Sequence, residues 1–263
     1  MKKIIYTLFM SLPLFGANAQ QKQGRVLYER TVQMRVHGMS DSDEHMMPRS
    51  LKDKLEVLFA DSQSLRRSVP EEIPEDFQES GRGLQLRVGG PASGDLAYAN
   101  FSTGRTVEQK EFAAKSYIIA DSIRKLNWKL TEDTLTILGY PCRKATSQRI
   151  GKHKQGRMEN GDIKNREVAD TVNIVAWFTM AIPVPAGPEC EGQLPGLILA
   201  LDLGNGRAVY KALEVSPEVE LRDIKAPSKG KTVSLDEFVK ERDKIVSDME
   251  RKGGRRGMFL IGG

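Results

Sequence analysis

The sequence predicts a mainly β chain: a β-rich α+β fold in which an antiparallel curved sheet or half-open barrel is joined by a C-terminal amphipathic helix. Three observations predict it. Short segments with period-two alternation recur along most of the chain, separated by turn-forming residues. One segment near the end carries a helical apolar stripe and opens with a capping box. Between residues 173 and 202, two apolar runs bracket a connector broken by Pro183, Pro185, Gly187, Pro188, Gly192, Pro195 and Gly196. Proline fixes φ there and glycine releases it, so the connector reads as a rigid, turn-dense joint between strands.

Taken in order, residues 1–19 read as a signal peptide. Lys2 and Lys3 form a positive start, Ile4 to Phe15 an apolar run, and Ala17-Asn18-Ala19 a small-residue cleavage site. The run is shorter than the ~20 residues a spanning helix needs. No cysteine follows the cut, so the expectation is an exported chain that is not a lipoprotein, periplasmic or associated with the outer membrane. Residues 20–252 are expected to form a single β-rich domain, and residues 253–263 a flexible tail rich in Gly and Arg. Removing Lys2 and Lys3 from the formal charge of +5 leaves +3, an excess too small to argue for nucleic acid. Basic residues crowd positions 143–166 and 251–256. They read as solvated faces, with peripheral contact to anionic lipid as the sharper alternative.

The first strand is expected from Gly24, with Val26, Tyr28, Arg30 and Val32 on one face. Leu55 to Ala60 and Leu65 to Val69 follow, flanking a turn at 61–64, and residues 70–94 read as a surface excursion rich in Pro, Glu, Gly and Ser. Strands resume at Leu96 to Ser102, Arg105 to Phe112 and Ser116 to Ile123. Trp128 to Thr131 and Leu135 to Leu138 look like a strand pair, followed by Arg143 to Ile150 and a long polar hairpin tip over 152–170. Ile174 to Met180 enters the connector and Leu197 to Leu203 leaves it, forming a hairpin with Val209 to Val215 around Gly204-Asn205-Gly206. Ser234 and Glu237 open the helix, whose stripe of Leu235, Phe238, Val239, Ile245, Val246 and Met249 is expected to cross one sheet face.

Several blocks carry a family resemblance. They are GRVLYER at 24–30, Trp128 with ILGYPCRKA at 137–145, the set Ala176 to Thr179, Ile182, Pro183, Gly187 and Pro188, and the hexapeptide Gln193-Leu194-Pro195-Gly196-Leu197-Ile198. Together they resemble the GLPGLI family of secreted proteins from diderm bacteria. The resemblance implies export and a β-rich domain, and it names no reaction. Gln193 departs from the pattern where the family has its first glycine, with Gly192 one place earlier. Pro188, Leu194, Pro195, Gly196, Leu197 and Ile198 are therefore the motif residues, serving a structural corner or an interaction site.

Only two cysteines, Cys142 and Cys190, are present. With export to an oxidising compartment, one disulfide is the economical expectation and two free thiols the alternative. Such closure is worth on the order of 4 kcal/mol in the chain-entropy view.

No catalytic constellation is legible: there is no G-x-S-x-G elbow, H-E-x-x-H pair or phosphate-binding glycine loop. Carboxylates are plentiful, and an Asp/Glu pair brought together by the fold would make the chain a periplasmic hydrolase. Met34, His37, Met39, His45, Met46 and Met47 place thioether and imidazole ligands together, which suits copper, although a polar turn accounts for them as well. No other cofactor is expected. Trp128 and Trp177 are core anchors or the lining of an apolar cavity. The reading reached is a non-enzymatic exported protein that binds a lipid, a peptide or an outer-membrane partner in the cell envelope, or assembles with it. Hydrolysis and copper binding stand as alternatives. By architectural analogy, a sheet with a terminal helix suits an acyl chain held between them.

Overall fold

A computed structural model describes residues 21–33, 50–70, 94–159 and 162–252. Alternating residues build a ladder of strands: β1 (Gly24–Gln33), β2 (Ser50–Ala60), β3 (Gln63–Val69), β4 (Leu96–Asn100), β5 (Arg105–Phe112) and β6 (Lys115–Ser122). It continues with β7 (Lys129–Ile137), β8 (Tyr140–Glu159), β9 (Asp162–Thr179), β10 (Leu197–Leu203), β11 (Ala208–Ser216) and β12 (Lys231–Val233), then helix α1 (Leu235–Lys252). The twelve strands make one curved sheet that does not close, in the order β12-β6-β5-β4-β3-β2-β1-β11-β10-β9-β8-β7. All neighbours are antiparallel except β12, which lies parallel to β6. The fold class read from the sequence is the one observed.

The two faces divide the labour. On β1, Val26, Tyr28 and Arg30 are buried while the residues between them are half-buried. Val26 sits opposite Val57 and Val215, and Tyr28 opposite Leu55 and Ala212, so their side chains share the inner face. Ile174, Ala176, Phe178 and Leu201 extend that face into one apolar core. On the outer face Leu58, Leu65 and Tyr98 stand in register and pack beneath Ile224, from the segment after β11.

Four sequence expectations are corrected. The segments around Trp128–Thr131 and Leu135–Leu138 belong to one strand, β7, hairpinned to β8. The polar interruption is an irregularity between Leu130 and Thr134, where the Asp133 N–H donates to Thr131 Oγ1 at 3.3 Å. The polar tip over 152–170 is a paired ladder, because β8 and β9 stay in register to Glu159 opposite Asp162. The helix stripe does not cross the sheet. It docks at the β6 end, where Phe238 meets Tyr117 edge-on at 5.2 Å and joins Ile119 and Val233. Its capping box forms as expected: the Ser234 N–H donates to Glu237 Oε2 at 2.8 Å and the Glu237 N–H to Ser234 Oγ at 3.2 Å. Among the described residues, no helix is long and apolar enough to cross a membrane.

The fourth correction concerns the cysteines. Cys142 and Cys190 are buried free thiols, not the expected disulfide. Cys142 begins β8 beside the β7 hairpin, with its thiol facing the Tyr140 carbonyl oxygen at 3.4 Å. Cys190 instead feels the charges of Glu191, Glu189, Arg149 and Arg66. Both thiols belong to the same apolar core, and neither is bonded to the other.

Candidate functional site: a connector pinned to the inner face

Leaving β9, the chain doubles back onto the inner face in extended form. Ile182, Val184 and Ala186 are buried at alternate positions while Ala181 and Pro183 are exposed. Prolines at 183, 185 and 188 remove backbone donors that this lone segment could not pair. Its carbonyls anchor it instead: Ile182 accepts from the Leu197 N–H, Ala186 from the Ile198 N–H, and Pro185 from the Gly192 N–H. Tyr28 reaches up from β1, its hydroxyl donating to the Ile198 carbonyl at 2.6 Å.

The motif residues are mostly interior. Leu194, Gly196, Leu197, Ile198 and Pro188 are buried, and Pro195 alone is exposed. A Cβ on Gly196 would lie 2.1 Å from the Thr179 carbonyl oxygen, so only glycine permits that crossing of backbones. The substituted first position has its own task. Gln193 Oε1 accepts from the Leu126 N–H at 3.0 Å and from Trp128 Nε1 at 3.1 Å, tying the entrance of β7 to the connector. Gly192 takes the left-handed conformation next to it, at φ +74°. The two tryptophans have different surroundings: Trp128 is held by Gln193, whereas Trp177 lies beneath the Lys144 ammonium at 5.9 Å. Met34, His37, Met39, His45, Met46 and Met47 lie outside the described residues, as do residues 1–19, expected to be a signal peptide, and 253–263, expected to be a tail. Among the described residues, no group of three or more His, Cys, Asp or Glu side chains is placed to hold a metal ion.

What sequence reading missed is a charged cluster beneath the connector. Arg66 on β3 points inward, opposite Val57 and Ala97. Its guanidinium bonds Glu189 through Nη1 and lies 3.8 Å from Glu191 Oε1 through Nε. Tyr210 on β11 donates to Glu189 Oε1 at 3.2 Å. Beside Tyr210 in register stands Arg30, bonded through Nε to Asp53 Oδ1 at 2.8 Å. On the far side, Glu108 faces Ala97 in register and pairs with Lys110 at 3.0 Å.

The two connector glutamates are driven apart electrostatically. Arg66 holds the Glu189 carboxyl below its ordinary range, outweighing its burial. Burial pushes Glu191 from 4.5 up to about 7, against the pull of Arg66 and with the Glu189 charge adding to the rise. Burial works against the Arg66 charge, and Glu189 and Glu191 more than offset it. Burial and Glu189 raise the Tyr210 hydroxyl, and burial raises the Cys190 thiol. Arg66 Nε and Glu191 Oε1 are both closed to solvent without a hydrogen-bond partner. The signal for this cluster was Glu189-Cys190-Glu191, two acids inside an otherwise apolar connector; no local pattern marked Arg66.

Residues 128–200 match a family model described as a protein of unknown function (Porph_ging). The match runs from Trp128 through the connector into β10. Among solved structures, PNGF-II in its C2 crystal form is similar at a TM-score of 0.51 and 15% identity, covering 85% of this chain and 33% of that one. Its P21 form has a TM-score of 0.49 at the same identity and coverage. This chain thus spans about a third of the PNGF-II chain, and the likeness shows the fold alone. No curated protein matches the sequence.

Proposed function

We propose that the chain is an exported, non-enzymatic binding or assembly protein of the cell envelope, akin to the GLPGLI proteins, and that its partner docks on the inner face. The observation that carries this reading is the strip of inner face between the connector and α1. There the half-buried Ala97 and Glu108 continue the row begun by Arg66, and the half-buried Lys110 stands two positions further along β5 on the same face. Alanine leaves room there, and the flanking charges favour a polar partner such as a peptide segment. They disfavour an acyl chain, which would strand them without water. The motif serves this function from below, by holding the connector in place.

A photo-crosslinking residue at position 97, compared with one at the exposed outer-face position of Lys211, tests the reading in envelope preparations. The expected result is a peptide or protein adduct at 97 and none at 211. Equal labelling at both, or an adduct of lipid alone at 97, would overturn it.

The converging carboxylates favour a second reading, hydrolysis, with Glu191 as the proton donor and Glu189 as the base. Opposite shifts in two neighbouring acids are the pattern that general acid–base pairs show. It ranks second because Glu191 Oε1 is closed to solvent and Glu189 is engaged by Arg66 and Tyr210. Turnover that is lost in both Glu189→Gln and Glu191→Gln while the fold is kept would promote it.

A further inference from the structure

The connector is held down by an arrangement that does not suit two ionised glutamates. Glu189 adopts φ +62°, a left-handed conformation that costs a non-glycine residue energy, and Gly192 follows at +74°. One guanidinium serves both carboxylates: it bonds Glu189 and stands 3.8 Å from Glu191 Oε1, too far for a hydrogen bond. Neither of the two facing atoms has a partner, and neither can reach water. With Glu191 ionised, one guanidinium must be shared between two carboxylates, and Glu191 Oε1 stays closed to solvent and beyond hydrogen-bond reach of Arg66 Nε. With Glu191 neutral, Arg66 and Glu189 remain as a one-to-one pair.

The groups facing this point come from every neighbouring element. They are Tyr28 and Arg30 on β1, Arg66 on β3, Glu108 and Lys110 on β5, Arg149 on β8, Tyr210 on β11, and Glu189 and Cys190 on the connector itself. Arg66 favours ionised Glu191, whereas Glu189, Glu108 and the burial of the carboxyl oppose it.

We propose that residues 189–192 form a proton-operated latch, closed on Arg66 and Tyr210 when Glu191 is protonated and opening locally from the inner face when it ionises. Opening hydrates Glu191, relaxes the left-handed Glu189 and exposes Cys190, whose residue is 2% accessible when the latch is closed. The remainder of the connector keeps its anchors through Ile182, Ala186 and Ile198. The latch rests on this geometry and does not depend on what the inner face binds.

Thiol labelling of the reduced chain, resolved by mass spectrometry at Cys190, tests it in the wild type and in Glu191→Gln. Taking the ratio of the two rates at each pH cancels the thiol's own pH dependence. The ratio is expected near one at about pH 4.5, to rise about tenfold per pH unit, and to reach on the order of 100-fold by about pH 8. The Cys190 rate is also expected to be insensitive to low urea, because local opening exposes little surface. A ratio that stays flat with pH overturns the proposal. So does a Cys190 rate with the urea dependence of global unfolding. Amide exchange at Gly192 in the wild type gives an independent reading: its protection falls with pH at constant low urea, and unchanged protection would sink the latch.

Discussion

Replacing Glu191 by Gln is expected to stabilise the protein, and only above the acid range. Folded Glu191 keeps its proton to about pH 7, whereas in the unfolded chain it releases it near 4.5. The folded state therefore binds more protons across that window, and this group's contribution to stability falls as pH rises through it. A difference of that size corresponds to about 3 kcal/mol, absent below the unfolded value and complete above the folded one. Glu191 is only 14% exposed at its side chain, so solvent screening does not erase the effect. Glutamine keeps the shape and cannot ionise, and Arg66 retains Glu189 as its partner. Thermal unfolding by circular dichroism should show equal midpoints at about pH 4 and a gain in the variant of up to roughly 6–12 °C at about pH 8. Equal destabilisation at both pH values would refute the reasoning, since it would mean that ionised Glu191 is well satisfied by Arg66. Glu189 has the opposite sign: its lowered carboxyl supports the fold above the ordinary glutamate range and loses that contribution on acidification.

Other outcomes follow from the connector's packing. Gly196→Ala drives a methyl into the Thr179 carbonyl and should cost at least about 2 kcal/mol in urea unfolding, while Pro195→Ala, at an exposed position, should stay within about 1 kcal/mol. Gln193→Ala strands the Leu126 N–H and the Trp128 indole, with an expected loss of about 1–3 kcal/mol and a red shift of Trp128 emission in a Trp177→Phe background. Ser234→Ala removes one half of the capping box, and should cost about 1 kcal/mol and speed proteolysis within α1.

Much of the fold was legible because it is locally encoded. Alternation marked β1, β2, β3 and β5, the Gly204-Asn205-Gly206 turn marked the β10–β11 hairpin, and the Ser234–Glu237 pair marked the helix start. Failures came where a local signal had a second structural meaning. The polar break between the segments ending at Thr131 and starting at Leu135 looks like a gap between two strands and is an irregularity within β7. The stripe on α1 suggests a wide buried face, yet Phe238 alone carries its deep contact with Tyr117.

By itself, then, the sequence determined a β-rich chain with a terminal helix and a proline-rich joint before Leu197. Period-two patterning, capping and turn chemistry act between residues a few positions apart, so they can be read along the chain. Tertiary structure alone decided that the joint folds onto the inner face, that Gly196 passes under the Thr179 carbonyl, and that Glu189 and Glu191 meet an arginine 123 residues earlier than Glu189. It also left Cys142 and Cys190 as buried free thiols. Burial and long-range charge set those outcomes, and both depend on which strands become neighbours in the sheet.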